Sequence, residues 1–126
     1  MNAAELSLLT GLPRDADLEQ IQQAAAALAG HNRRPVFVTL AERGIVGALG
    51  DGTFGHVPAL PVRGPIDIVG AGDAVTANLA CALAAGATLA ESLELAMAAA
   101  SLVIHQLGTT GTASVAQIQA LLASLA

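Results

Sequence analysis

Asp67-Ile68-Val69-Gly70-Ala71-Gly72-Asp73 decides how this chain is read, because two glycines and an aspartate stand immediately before a long apolar run. The glycines allow a tight turn and a close approach of backbone to ligand, and Ala71 keeps the wall between them low. Residues 74–85 are rich in alanine and free of Gly and Pro, so the spacing predicts a helix that starts at Asp73. A cluster of backbone N–H groups and the positive end of a helix dipole then face one small space, an anion site suited to phosphate. Asp73 has two readings. As an N-cap it accepts a hydrogen bond from an amide two or three residues on. Beside a transferring phosphoryl group it is a base for the acceptor hydroxyl, while glycine amides neutralise charge. The local chemistry alone does not choose between them.

Downstream, Gly86-Ala87-Thr88 stops the helix, and Thr88 or Ser92 caps the next one, which runs to about Gln106 with Leu93, Ala96, Met97, Ala100 and Ile104 as its apolar stripe. His105 sits near that helix end, where the dipole favours a partly protonated imidazole. Gly108 and Gly111 flank a Thr-rich loop, and Ser114 caps a last helix carrying Val115, Ile118, Leu121 and Leu122. Cys81 falls at a helical position and is expected to be a small core residue, not a nucleophile.

Upstream, Asn2 and Glu5 are spaced as a capping box and predict a short helix over residues 2–10, ended by Gly11-Leu12-Pro13. Asp15 or Asp17 opens a second helix, with Leu18, Ile21, Ala25 and Leu28 on one face and Gly30 as its stop. Residues 31–35 read as a polar connector with Arg33-Arg34 in a solvated turn. Val36-Phe37-Val38-Thr39-Leu40 is the β-branched run expected of a strand buried on both faces of an α/β sheet. Ile45-Val46-Gly47-Ala48-Leu49 is its antiparallel neighbour across the turn at residues 41–44. Gly50-Asp51-Gly52-Thr53 makes another turn, and residues 54–60 an edge strand on which His56 reads as a surface residue. Pro58, Pro61 and Pro65 mark an irregular segment leading into the glycine turn.

A chain of 126 residues is expected to form one domain with a core of small aliphatic side chains, since it has two Phe and no Tyr or Trp. The single cysteine excludes an internal disulfide framework and suits a reducing cytoplasm. No basic start suggests a signal peptide, and Asn78, Gly86 and Thr88 interrupt the apolar run that could otherwise suggest a membrane span. All five arginines lie within residues 1–66, whereas residues 67–126 carry Asp67, Asp73, Glu91 and Glu94 and no Lys or Arg. With a net charge of −5, nucleic acid is a poor partner. Val75 stands where a dinucleotide fingerprint has its third glycine, there is no lysine for a P-loop, and the three histidines and one cysteine lack metal-ligand spacing.

Asp67 to Asp73, continuing Ala74-Val75-Thr76-Ala77, resembles the second signature of the PfkB sugar kinases, the ribokinase-like family, whose pattern is roughly Asp-Thr-x-Gly-Ala-Gly-Asp. Asn2-Ala3-Ala4-Glu5 resembles that family's Asn-x-x-Glu motif, and Thr39-Leu40-Ala41-Glu42-Arg43-Gly44 its Thr-x-Gly-x-x-Gly nucleotide loop. The order and spacing agree with the family, and Leu107-Gly108-Thr109 followed by Thr112-Ala113-Ser114-Val115 is most similar to the heptose-phosphate kinase branch. The resemblance spans essentially the whole chain and less than half of a complete kinase.

That resemblance implies an α/β, ribokinase-like three-layer α/β/α (Rossmann-like) fold, of which residues 1–126 are the C-terminal nucleotide-binding part. It implies ATP-dependent phosphorylation of a sugar or sugar phosphate with Mg2+. Asp73 would be the general base, and Gly70, Ala71, Gly72 and Asp73 the anion hole. Thr39, Glu42, Arg43, Gly44 and Gly108 would contact the nucleotide, with the Gly108–Gly111 loop near the adenine. Asn2, Glu5 and Asp67 would surround the magnesium through water. The sequence departs from the pattern at Ile68, where Thr or Ser is usual, and at Ala41, where the loop has Gly. It departs again at Asn78 and Met97, where a small and a polar residue respectively are commoner. Complete relatives carry an N-terminal half with the sugar pocket and further strands, so association with such a half, or self-association through exposed sheet edges, is expected. The competing functions are a non-catalytic nucleotide-binding or assembly module, and a structural remnant whose glycine loop is only a strand-to-helix turn.

Overall fold

Asn2 and Glu5 close a capping box around the first turn of helix α1 (Ala3–Thr10): the Glu5 amide donates to Asn2 Oδ1 at 2.9 Å and the Asn2 amide to Glu5 Oε2 at 2.8 Å. Asp17 and Gln20 do the same for α2 (Leu18–Asn32), so Asp17 and not Asp15 starts that helix. The structure, a computed structural model, describes residues 1–126, which divide into two compact units, Met1–Pro58 and Ala59–Ala126.

In the first unit α2 runs past Gly30, the expected stop, to Asn32. A glycine at an exposed helical position weakens a helix without ending it. The end comes at Arg33, which takes the left-handed conformation (φ 53°) and returns its amide to the Ala29 carbonyl. Both Arg33 and Arg34 are exposed, as the solvated-turn reading requires.

Strands β1 (Val36–Thr39), β2 (Ile45–Ala48) and β3 (Phe54–Val57) form an antiparallel meander in that order. Val36 pairs with Ala48 across the first hairpin and Val46 with His56 across the second. Leu6, Ile21, Ala25 and Ala29 of the helices pack against Val36, Val38, Val46 and Ala48 of the sheet. Leu6, Val38 and Val46 are fully buried, each contributing about 1.5–3 kcal/mol by its removal from water. Burial alternates along β1, where Phe37 and Thr39 are only half-buried, so this strand is covered on one face rather than on both. Residues 1 and 2 lie parallel to its outer edge: the Thr39 amide donates to the Met1 carbonyl at 2.9 Å and the Met1 amino group to the Phe37 carbonyl at 3.0 Å.

The second unit is helical. Helix α3 (Ala71–Ala84) buries Val75, Leu79 and Ala82, the i, i+4, i+7 face that packs on α4 (Leu89–Ile104). Cys81 lies off that face and is exposed, which corrects its assignment to the core. Thr88 caps α4 by accepting the Glu91 amide, while Ser92 is fully buried and donates its hydroxyl to the Thr88 carbonyl. Leu93, Ala96 and Met97 are buried as the stripe predicts, but so are Ala98, Ala99 and Val103. The second buried face exists because α5 (Val115–Leu125), capped by Ser114, lays Ile118 against Ala98 and Ala99.

Candidate active site

Gly70 (φ 85°) is the N-cap of α3, so the helix begins two residues earlier than a start at Asp73 predicts. Asp67 prepares the turn: its Oδ1 accepts the Val69 amide at 3.0 Å, and its own amide donates to the Ile104 carbonyl at 2.8 Å. The Ala71 amide donates back to the Ile68 carbonyl at 3.2 Å, and the Ala74 amide makes the first helical bond, to Gly70, at 3.0 Å. Of the amides expected to face an anion, Ala71 is therefore turned into the loop. Those of Gly72 and Asp73 remain, at a helix end with no side-chain cap, whereas α1, α2, α4 and α5 all have one. Asp73 is the third helical residue and exposed; the capping position is Gly70. Of the two readings of Asp73, the N-cap is thereby removed.

The two glycines do different things. A side chain on Gly70 would face the φ penalty and also place its Cβ 3.0 Å from Thr110 Cγ2. A Cβ on Gly72 would meet nothing within 4 Å, and its φ is not positive. The fold requires the first glycine and not the second. Asn78, one of the departures, is accommodated by donating to the Ala74 carbonyl at 2.8 Å, and Met97 by burial.

The C-terminal end of α4 holds the segments on either side of this turn. Besides the Ile104 carbonyl at Asp67, His105 accepts the Arg63 amide through Nε2 at 3.0 Å and donates from Nδ1 to the Ser101 carbonyl at 2.6 Å. These two bonds hold the ring between the segment before the turn and the last turn of α4. Gln106 Nε2 donates to the Thr112 carbonyl at 2.6 Å, and its Oε1 accepts the Thr112 amide at 3.0 Å. Gly108 (φ 72°) lies exposed in the loop so closed. Neither Gln106 nor Thr110 stood out in the sequence, since a glutamine at a helix end and a threonine in a Thr-rich loop carry no spacing signal.

In the first unit, Thr39 ends β1, and a single 3₁₀ turn at Ala41–Arg43 leads to Gly44 (φ 91°). Ala41, standing where the family pattern has glycine, adopts φ 53°. The Leu40 amide donates to the Gly44 carbonyl at 2.8 Å. Arg43 is anchored twice: its guanidinium reaches the Ala16 carbonyl at 3.4 Å, and its own carbonyl accepts from His56 Nε2 at 2.6 Å. Glu42 is exposed. Asn2 and Glu5 are held to one another by the capping box, leaving Glu5 Oε1 as their spare acceptor. No three His, Cys, Asp or Glu side chains come together as a metal cage. Asp67 keeps Oδ2 free, which fits a cation held mainly by water and substrate oxygens, as Mg2+ commonly is.

A family model for pfkB family carbohydrate kinases matches residues 1–116. The chain belongs to that family. The bifunctional protein HldE of Gluconacetobacter diazotrophicus is 42% identical over 119 residues, covering 94% of this chain and 24% of that protein. HldE of Shewanella baltica is 34% identical over 121 residues, covering 95% of this chain and 25% of its own length. Among solved structures, Arabidopsis thaliana ribokinase complexed with ribose and ATP superposes with a TM-score of 0.83 at 33% identity, over 96% of this chain and 39% of the ribokinase. Phosphofructokinase-2 from Escherichia coli gives 0.83 at 27% identity, over 98% and 39%. The fold is thus part of the ribokinase-like pfkB architecture, and the chain spans about a quarter of the curated relatives it matches.

Proposed function

We propose that residues 1–126 are the nucleotide-binding, base-carrying part of a kinase that transfers phosphate from ATP to a hydroxyl of a sugar or sugar phosphate. The observation that carries this reading is the uncapped N-terminus of α3, where two free amides and the exposed Asp73 stand together. Family membership and the ATP-bound ribokinase support it. The Asp73 carboxylate takes the proton of the acceptor hydroxyl as its oxygen bonds to the γ-phosphorus and the bond to the departing ADP breaks. The Gly72 and Asp73 amides stabilise the equatorial oxygens, with Gly70 shaping the turn and the Ala71 amide lending less than the sequence alone predicts. Bound Mg2+ would neutralise phosphate charge, with Asp67 Oδ2 beside the turn as an acceptor for its waters; for Asn2 and Glu5 that role is proposed on the family motif alone. Thr39, Glu42, Arg43, Gly44 and Gly108 are the proposed nucleotide contacts; Arg43 would contribute backbone, since its side chain is engaged at Ala16.

The tail at residues 107–115 resembles the heptose-phosphate branch of the family, which makes a sugar phosphate of that class the proposed acceptor. A partner is part of the proposal: the short parallel stretch at Met1 and Asn2 offers an edge on which the strands of an N-terminal half, or a second copy, would continue. We place its work in the reducing cytoplasm, where a lone exposed cysteine is compatible with a stable chain. The second reading, a non-catalytic nucleotide-binding or assembly module, is favoured by the departures from the family pattern at Ile68 and Ala41.

Asp73→Asn tests the choice. With the N-terminal half supplied, the variant should lose transfer while binding Mg-ATP as well as the parent or better, because a negative charge beside the phosphates has gone. A variant that keeps turnover overturns the base assignment. Transfer by neither protein, with Mg-ATP bound by both, favours the module.

A further inference from the structure

Gln106 lies outside every motif of the sequence and outside the anion turn, yet it makes three side-chain hydrogen bonds. Its Nε2 donates to the Leu102 carbonyl at 3.2 Å and the Thr112 carbonyl at 2.6 Å, and its Oε1 accepts the Thr112 amide at 3.0 Å. The two bonds to Thr112 pair a side-chain amide with a backbone amide and shut the loop of residues 107–111 at its base. Gly111 is packed so tightly into this closure that a Cβ would come within 2.9 Å of Gln106 Oε1 and 3.0 Å of the Val103 carbonyl. At the other side of the loop, Thr110 Cγ2 stands where a side chain on Gly70 would be, at 3.0 Å. One glutamine therefore sets the position of a loop whose next neighbour is the N-cap of the anion-binding helix.

We propose that Gln106 is a positioning residue for the nucleoside triphosphate, holding residues 107–111 as a preformed wall beside the glycine turn. This rests on the reading of that turn as the ATP phosphate site. Without the closure, a ligand seated on the turn must itself order the loop, and fixing backbone is entropically expensive for each residue ordered. Gly111 belongs to the same device, because only a residue without Cβ lets the loop close onto Gln106.

The test compares Gln106→Met, which keeps side-chain length and helix propensity but loses both bonds to Thr112, with Gly111→Ala and the double variant. Mg-ATP binding to the whole chain is followed by amide NMR titration and melting is recorded in parallel. Each single variant should weaken Mg-ATP binding about tenfold, the loss of two neutral hydrogen bonds, with melting within a few degrees of the parent. The double variant should bind no more weakly than the singles, since both open one closure. Gln106→Glu, which keeps an acceptor for the Thr112 amide but no donor for its carbonyl, should fall between Met and the parent. Parent-like binding by Gln106→Met, additive losses in the double variant, or losses that track melting would overturn the proposal while leaving the phosphate site intact. A folded parent that binds no Mg-ATP even with the N-terminal half supplied would instead remove the phosphate site and the proposal with it.

Discussion

Replacing each glycine of the turn with alanine should separate what the fold needs from what a ligand needs. For Gly70→Ala, holding a Cβ-bearing residue at left-handed φ costs about 1–2 kcal/mol, of which about 0.4–1 is offset by the reduced freedom of the unfolded chain. Its Cβ also meets Thr110 Cγ2 at 3.0 Å, so the loop must give way. The net should be about 1–1.5 kcal/mol of destabilisation, or a melting point lower by roughly 4–8 °C. For Gly72→Ala none of these terms applies, since φ is not positive and no atom lies within 4 Å of the new carbon. Alanine is the better helix former, so the chain should be unchanged or stabilised by up to about 0.5 kcal/mol. Binding should show the reverse order of consequence. Gly72 carries one of the two open amides, so a methyl there should crowd a bound anion, and displacing one charge-assisted hydrogen bond of about 1.5–3 kcal/mol corresponds to a loss of roughly ten- to a hundredfold. Melting curves and amide-detected titration with Mg-ATP measure both quantities on the same samples. A Gly72→Ala chain that melts like the parent and binds like it would refute the anion-site reading of the turn. One destabilised as strongly as Gly70→Ala would show that Gly72 is required by the fold after all.

Ala41→Gly should raise the urea midpoint by an amount worth about 0.5–1 kcal/mol at unchanged slope, because φ 53° is relieved at a smaller entropic loss; a lower midpoint would contradict the strain. The Thr53 amide, with the Thr53 hydroxyl adding to it, holds the Asp51 carboxyl below its ordinary value of 3.8. A carboxyl depressed in the folded chain lends stability that is present above its unfolded value and lost as pH falls through the folded one, so the turn should loosen only below about pH 4. A carboxyl NMR titration with its midpoint at or above 3.8 would sink this assignment.

The sequence showed most where side chains act on their own backbone. Asn2 with Glu5, Thr88 and Ser114 are caps whose partners lie three residues away, so spacing alone reveals them. The β1–β2 hairpin was legible for the same local reason. Cys81 was misplaced because a helix of alanines has no polar face against which to set an apolar one. The second buried face of α4 was missed because it depends on α5, a neighbour that periodicity within α4 does not encode. At the site, the glycines and Asp73 were visible as residue types. The inward turn of the Ala71 amide, the Arg63–His105 bond and the Gln106–Thr112 pair were not, since each follows from how the chain folds back on itself and not from a motif.

The charge distribution limits what the glycine turn can hold alone. Two charge-assisted amide bonds at about 1.5–3 kcal/mol each, with a helix-dipole contribution of about 0.3–1, give roughly 3–7 kcal/mol before any cost of association. Millimolar affinity corresponds to about 4 kcal/mol and micromolar to about 8. Residues 67–126 carry no Lys or Arg to close that gap, and Asp67 and Asp73 oppose a polyanion. Under the proposed mechanism Asp73 is the base, so the repulsion is inherent in placing it beside the phosphates. Positive charge must therefore come from a metal ion or from residues beyond this stretch. On the proposed reading, a turn of this composition should gain affinity for a polyanion only when such cations are assembled around it, so Mg-ATP binding should strengthen when the N-terminal half is supplied.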